Sequence, residues 1–251
     1  DRDEALPGLL ARFQEREHLD FMNLRTTDGR LRHGGHGRRD DTAPTDPWLP
    51  AGDSGTSVEI LPASQLAMLA PGLRERIVVP LVPTRNAAPT SRTQEDRAMV
   101  LVSTQPVRDA QGRTIGLVQA GVLLNRNLPF IDHINQIVYP EGALPFGSRG
   151  TATLFLDDVR ISTNVRLFGH ERDQRAVGTR VSKSVRDAVL GEGRTWLDLA
   201  FVVNDWYVSA YQPLSDSGGR RVGMLYVGFS EAPFRWIKYG VLASIGLLFF
   251  G

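Results

Sequence analysis

The feature that most constrains this 251-residue chain is that it repeats itself. Residues 105–121 read QPVRDAQGRTIGLVQAG and residues 212–228 read QPLSDSGGRRVGMLYVG. Gln, Pro, Asp, Gly, Arg, Gly and Gly match at a constant offset of 107. A chain that carries one supersecondary unit twice is built from like units, which narrows the architecture before composition is weighed. Each copy predicts a β-hairpin. Asp109–Gly112 and Asp216–Gly219 each join an Asp that can bond its own backbone to a glycine free to take positive φ. The flanks, Met99–Val107 with Thr114–Leu124 and Trp206–Leu214 with Arg221–Phe229, are rich in β-branched and aromatic residues, as strands are.

Fainter matches extend the repeat upstream. Gly55–Val58 matches Gly178–Val181 at an offset of 123, which also lays Ile77–Val79 on Ala200–Val202 as a strand. The Pro/Thr/Arg-rich stretch Pro83–Arg97 then supplies the difference between the two offsets as a loop. Asp28–Leu31 resembles Asp158–Ile161, each after an apolar strand (Phe21–Leu24 and Thr151–Leu156). Three helices follow from apolar spacing: Ala5–His18, Leu128–Val138, and Ser182–Leu190 stopped by Gly191. The expected fold class is α+β, two tandem modules, each a five-stranded antiparallel sheet with flanking helices. The expected boundaries are an opening helix over 1–18, a first module over 19–126, a connecting helix and loop over 127–147, a second module over 148–231, and an apolar helix over 232–251.

Net charge is +1, with 29 basic against 28 acidic side chains, so nothing draws the chain toward nucleic acid. The absence of cysteine removes disulfides, thiolate zinc sites and cysteine nucleophiles. No Walker, G-x-S-x-G, H-E-x-x-H or G-x-G-x-x-G pattern occurs, and no catalytic site, metal site or cofactor is expected. His33 and His36 with Asp40 and Asp41 invite a metal reading, but a Gly-rich loop gives ligands no support and reads as a solvated turn. The thirteen uncharged residues Tyr239–Gly251 are too few to span a bilayer alone and read as the start of a transmembrane helix, with Trp236 and Tyr239 at the interface.

Three stretches carry a family resemblance: LFLDDVRISTNVR (Leu154–Arg166), GTRVSKSV (Gly178–Val185) and NDWYVSAYQPLSDSGGRRVGMLYVGF (Asn204–Phe229). They resemble the membrane-proximal half of double Cache sensor domains, PAS-like tandem modules on the outer side of bacterial histidine kinases, diguanylate cyclases and chemoreceptors. The resemblance implies a periplasmic or extracellular region of an inner-membrane receptor, a homodimer, and a small-molecule ligand held in the N-terminal, membrane-distal module. Histidine kinase is the first expectation for the output; a cyclase, a chemoreceptor and a membrane-tethered solute-binding protein are the alternatives. Amino-acid-sensing relatives use a Tyr/Arg/Trp/Tyr/Asp arrangement in the distal module. This chain has no tyrosine before Tyr139, so that arrangement is missing as usually written.

A pocket for an organic acid or amino acid needs an arginine fork, a few hydroxyls and aromatic walls. In the first module the candidates are Trp48, Arg74, Arg76, Ser103 and Thr104, with solvated arginines as the competing reading. In the second they are Arg180, Trp196, Tyr207 and Tyr211. Strand alternation sends Tyr207 and Tyr211 to one face and Trp206 to the other, and core packing explains these aromatics as well as a pocket does.

Overall fold

A computed structural model describes residues 2–28, 30–34, 54–145, 148–167, 174–203 and 205–250. The strands are β1 (Phe21–Arg25), β2 (Leu31–Gly34), β3 (Gly55–Leu61), β4 (Val79–Pro80), β5 (Gln94–Glu95), β6 (Ala98–Arg108), β7 (Thr114–Leu123), β8 (Gly150–Leu156), β9 (Val159–Thr163), β10 (Trp196–Val202), β11 (Asp205–Ser215) and β12 (Arg221–Ser230). The helices are α1 (Arg2–Arg16), α2 (Ala63–Leu69), α3 (Arg74–Ile77), α4 (Leu128–Val138), α5 (Lys183–Arg186), which runs on as a π-helical turn over Asp187–Gly191, and α6 (Ala232–Phe250).

Two five-stranded sheets result, in the orders β2-β1-β7-β6-β3 and β9-β8-β12-β11-β10. Counted within each sheet, both orders read second, first, fifth, fourth, third. The chain divides into two compact units, one of Asp1–Val79, Gln94–Asn125 and Ser215–Arg220, the other of Pro80–Thr93, Arg126–Leu214 and Arg221–Gly251.

The repeated hairpins owe their turns to local chemistry. Asp109 accepts hydrogen bonds from the Gln111 and Arg113 amides at 2.9 Å and from Arg113 Nε at 2.8 Å. Asp216 accepts from the Arg220 amide at 2.9 Å and from Arg220 Nε at 2.8 Å, and both turns carry a left-handed glycine, Gly112 (φ 80°) and Gly219 (φ 76°). The Asp–Arg pair is thus part of the repeat, with the Arg locking the Asp that makes the turn.

The third strand departs from expectation. Gly55–Leu61 pairs with β6 and fills in the first sheet the place β10 fills in the second, whereas Ile77 ends α3 and, of the expected strand Ile77–Val79, only Val79 belongs to a strand, the two-residue β4. Ile77 and Val79 are fully buried all the same. An apolar run of three reports burial without choosing helix or strand.

In the first unit, Phe21, Leu61, Val100, Val102 and Leu123 form the sheet's apolar face, covered by Leu66 and Leu69 of α2. In the second, Phe155, Tyr207, Tyr211, Met224 and Tyr226 form the inner face, covered by Val181, Val185 and Val189. Helix α4 is capped by Asn127, whose side chain accepts from the Phe130 amide at 3.1 Å, and Asp132 takes both arms of Arg175 at 2.7 Å. The Pro83–Arg97 stretch is largely a strap. Val82 N–H donates to the Gly178 carbonyl at 2.9 Å, and the Lys183 amide donates to the Asn86 carbonyl at 2.7 Å. Gly178 is obligatory there. Its φ is +87°, and a Cβ would sit 2.2 Å from the Pro80 carbonyl oxygen.

Helix α6 carries exposed Tyr239, Leu242, Leu247, Leu248 and Phe249. No helix among the described residues is long and apolar enough to cross a membrane. Arg235 and Lys238 in its first half supply the charge that lowers its apolar character.

Candidate functional site

The four expected first-module residues that are described do not come together. Arg74 is exposed on α3. Arg76 is engaged by Asp20 at 2.6 Å, and the second oxygen of that carboxylate accepts the Leu123 amide at 2.7 Å, a bracket between α3 and the sheet. Ser103 and Thr104 are adjacent on β6 and so face opposite ways. Ser103 accepts from Thr56 at 3.1 Å on the exposed side, while Thr104 is buried and accepts from Gln119 Nε2 at 3.3 Å. Trp48, His36, Asp40 and Asp41 lie outside the described residues, and His33 is a buried residue of β2. Thr104 belongs to a polar cluster that the sequence reading missed. Asn23, Gln119 and Thr104 stand side by side across β1, β7 and β6, and Arg25 Nε donates to Gln119 Oε1 at 2.9 Å. All four are buried. Strict alternation along β1, with Phe21, Asn23 and Arg25 buried in turn, is the sequence signal that could have found them.

In the second unit the tyrosines fall where alternation places them. Tyr207 and Tyr211 are buried on the inner face, and Trp206 is exposed on the other. Trp196 stands opposite Tyr211 across β10 and β11 and packs against the same core, its buried indole N–H without a partner among the described residues. Arg180 is held by several neighbours, although its Nε, too, is buried with no partner among the described residues. Its Nη2 meets Asp158 at 2.5 Å, its Nη1 donates to the Ala88 carbonyl at 2.6 Å, and its own amide donates to Thr84 at 3.0 Å. Asp158 also takes Arg92 at 3.3 Å, so this cluster ties the strap to the β8–β9 turn.

The cation on the inner face is Arg160, which the sequence reading passed over. A bulge in β9 sets it beside Phe155 of β8, and its guanidinium carbon lies 5.1 Å from the Phe155 ring centre. Arg160 is 2% exposed. Its Nη1 donates to Thr179 Oγ1 at 2.7 Å, while its Nε is buried with no partner among the described residues. Burial pulls the guanidinium below its ordinary value, and the groups that act against this are Tyr211, Tyr226 and Tyr207, not a carboxylate. Burial pushes the Tyr211 hydroxyl well up. Tyr226 is raised by burial and by neighbouring Tyr211, against the pull of its hydrogen bond with Thr151; Tyr207 is raised by burial and by Asp205. These phenols therefore remain neutral and polar. Tyr211 stacks obliquely on Tyr226 with ring centres 4.7 Å apart and lies 6.1 Å from Phe155.

Chemically, this face offers a buried cation with a free N–H, neutral hydroxyls and aromatic surface. Such a set can hold an anion or a polar solute; it contains no nucleophile beside a base. No group of three or more His, Asp or Glu suited to a metal occurs among the described residues.

No curated protein matches the chain. The periplasmic domain of Vibrio cholerae LuxQ is similar in structure at 13% identity and a TM-score of 0.43, over 91% of this chain and 81% of that one. The ligand-binding domain of the Pseudomonas aeruginosa PAO1 amino acid chemoreceptor PctB, solved with L-Arg, is similar at 13% identity and a TM-score of 0.33, over 92% of this chain and 85% of that one. Residues 122–239, a stretch that holds Arg160 and its three tyrosines, match the family model described as single Cache domain 3.

Proposed function

We propose that this chain is the extracytoplasmic sensing region of a bacterial transmembrane receptor, and that it binds a small molecule on the inner face of its second sheet. The observation that carries the binding part is the buried Arg160, with an unpartnered Nε among neutral phenols, inside the stretch that matches a Cache model. The match supports the placement outside the cytoplasm. The repeat and the shared strand order support reading residues 19–126 and 148–231 as tandem modules. In this proposal the ligand-bearing module is the second, and α6 leads from β12 toward the membrane after a single intervening residue, Glu231. A receptor of this kind works as a homodimer and passes its signal to a cytoplasmic histidine kinase, with a cyclase or chemoreceptor output as the alternative.

Two measurements test this. Alkaline phosphatase joined after residue 231 of the full-length receptor is active in cells if the region lies outside the cytoplasm; an inactive fusion overturns the placement. A thermal-shift screen of organic acids, amino acids, amines, sugars and nucleosides finds a compound that raises the melting temperature, because a ligand that binds only the folded state stabilises it. A screen in which nothing moves the transition overturns the binding part.

A further inference from the structure

We propose that Pro83–Arg92 is a releasable strap, the tip of a loop that docks as an added strand on Gly178–Lys183 and opens as a unit about its own neck, with the Asp158–Arg180 pair as its catch. Gly178–Lys183 lies against β9 as a strand would. Its Gly178 and Val181 amides donate to the Arg160 and Asp158 carbonyls at 2.9 and 3.0 Å, and its Thr179 carbonyl accepts the Arg160 amide at 2.9 Å. Alternate groups turn the other way, toward the strap. The Arg180 amide donates to Thr84 Oγ1 at 3.0 Å, the Lys183 amide donates to the Asn86 carbonyl at 2.7 Å, and Ser182 pairs with Ala87 in an antiparallel bridge. Since β9 is the last strand of the second sheet, the strap covers what is otherwise an open strand edge.

The neck is tied separately from the tip. β4 pairs with β5, the Leu81 amide donates to the Thr93 carbonyl at 2.8 Å, and the Val82 amide donates to Gly178 at 2.9 Å. A loop whose two ends are joined to each other can move without disturbing the strands it leaves. Apolar burial contributes little to holding the tip. Of Pro83–Arg92 only Ala88 is buried, and Pro83 and Pro89 have no N–H to give. The grip is polar instead. Arg180 Nη1 donates to the Ala88 carbonyl at 2.6 Å, Arg180 Nη2 meets Asp158 at 2.5 Å, and Arg92 of the strap reaches the same carboxylate at 3.3 Å. Docking keeps this pair from water, with the Arg180 and Asp158 side chains 9% and 3% exposed, and leaves Arg180 Nε buried without a partner among the described residues. Release admits water to the pair and to that donor, which offsets much of what the broken bonds contributed. Segments with few buried apolar contacts open locally at the lowest cost. The strap therefore opens more readily than either sheet, and its opening frees the Gly178–Lys183 edge for another extended segment.

The experiment follows amide hydrogen exchange of the whole chain, residue by residue. The Arg180 and Lys183 amides, which bond to the tip, exchange at least tenfold faster than the Leu81 amide of the neck and the Met224 amide of β12. Asp158→Asn loosens the catch and speeds Arg180 and Lys183 at least a further tenfold, while Met224 stays within twofold of wild type. Should Asp158→Asn fail to fold, Arg92→Gln, which alters the strap's side of the catch, carries the same test. Locking the strap gives the opposite sign. Directly opposed antiparallel residues have Cα atoms about 4.5–5.5 Å apart, within reach of a disulfide. The chain has no cysteine to compete, so Ala87→Cys with Ser182→Cys forms one bridge on oxidation. The bridge slows exchange at Arg180 and Lys183 at least tenfold, and reductant restores it. Arg180 and Lys183 amides that exchange no faster than Met224 overturn the proposal, because the strap would then open only with the whole fold. So does a catch variant that speeds Met224 as much as Arg180, a bridge that does not form, or one that leaves the exchange unchanged.

Discussion

Replacing Arg160 by methionine separates a ligand anchor from a structural cation, because the two roles predict opposite signs. If Arg160 were held by a counter-charge, its removal would leave that charge buried and cost about 3–5 kcal/mol. With no carboxylate beside it among the described residues, the losses are smaller and can be counted. The hydrogen bond to Thr179 is worth roughly 1.5–3 kcal/mol, because the donor is charged. The contact over Phe155 is worth about 1–2 kcal/mol. Thr179 is not stranded by the change, since its hydroxyl also donates to the Ala176 carbonyl at 2.7 Å. Against these losses stands relief of the desolvation penalty, several kcal/mol for a cation on this face. Methionine has a similar length and fills the space with apolar surface.

The ligand-free protein is therefore expected to change by about 0 to +2 kcal/mol in the stabilising direction, or roughly 0 to 8 °C in melting temperature. Urea unfolding followed by tryptophan fluorescence reads this well, because Trp196, Trp206 and Trp236 of the four tryptophans lie in the second unit. An unchanged slope with a shifted midpoint makes the difference one of stability. A loss of 3 kcal/mol or more in the absence of ligand would refute the reasoning, because it would mean that Arg160 completes a charge pair of the resting fold.

Three further outcomes follow from the same structure. Gly178→Ala places a Cβ against the Pro80 carbonyl in a left-handed backbone, so it costs at least about 2 kcal/mol in urea unfolding; a change below about 0.5 kcal/mol would contradict the close approach. Asp132→Asn removes the charge that both arms of Arg175 grip, a half-exposed pair worth about 1 kcal/mol or less, and should quicken hydrogen exchange across α4 more than across β12. The pKa values of Tyr207, Tyr211 and Tyr226 are raised by burial, so the folded state holds their protons more tightly than the unfolded chain does. The stability tied to them is full below the ordinary tyrosine value near about pH 10 and falls as pH rises beyond it. Tyr211→Phe combined with Tyr226→Phe should flatten that fall, and an unchanged alkaline slope would count against the burial of these hydroxyls.

The hairpins were legible because their cause is local: an Asp, a left-handed glycine and a returning Arg sit within five residues of one another. Alternation was equally sound for Tyr207 and Tyr211, since a two-residue period fixes a face whatever the partner strands are. The third strand of the first sheet was misplaced for a physical reason. Gly55–Leu61 alternates weakly, with Gly55 and Thr56 exposed, whereas Ile77 and Val79 are fully buried and look more strand-like than they are. The charged residues were the least legible. Arg76 and Arg180 meet Asp20 and Asp158, whereas Arg160 meets no acid among the described residues, and only tertiary structure decides which.

The duplication itself supplies the sharpest contrast. Arg30 and Arg160 occupy the same place in the matching stretches Asp28–Leu31 and Asp158–Ile161. In the first copy, β2 begins one residue after Arg30, and the side chain stays 62% exposed and pairs with Asp28 at 3.3 Å. In the second, β9 begins one residue before Arg160 and carries it into the sheet, while the aspartate at the place of Asp28, Asp158, is drawn off by Arg180. A shift of strand start by two residues thus turns a solvated ion pair into a buried cation with no carboxylate beside it among the described residues. The second arrangement is the more expensive one, because desolvating a cation costs several kcal/mol, which the hydrogen bond to Thr179 and the contact with Phe155 offset only in part.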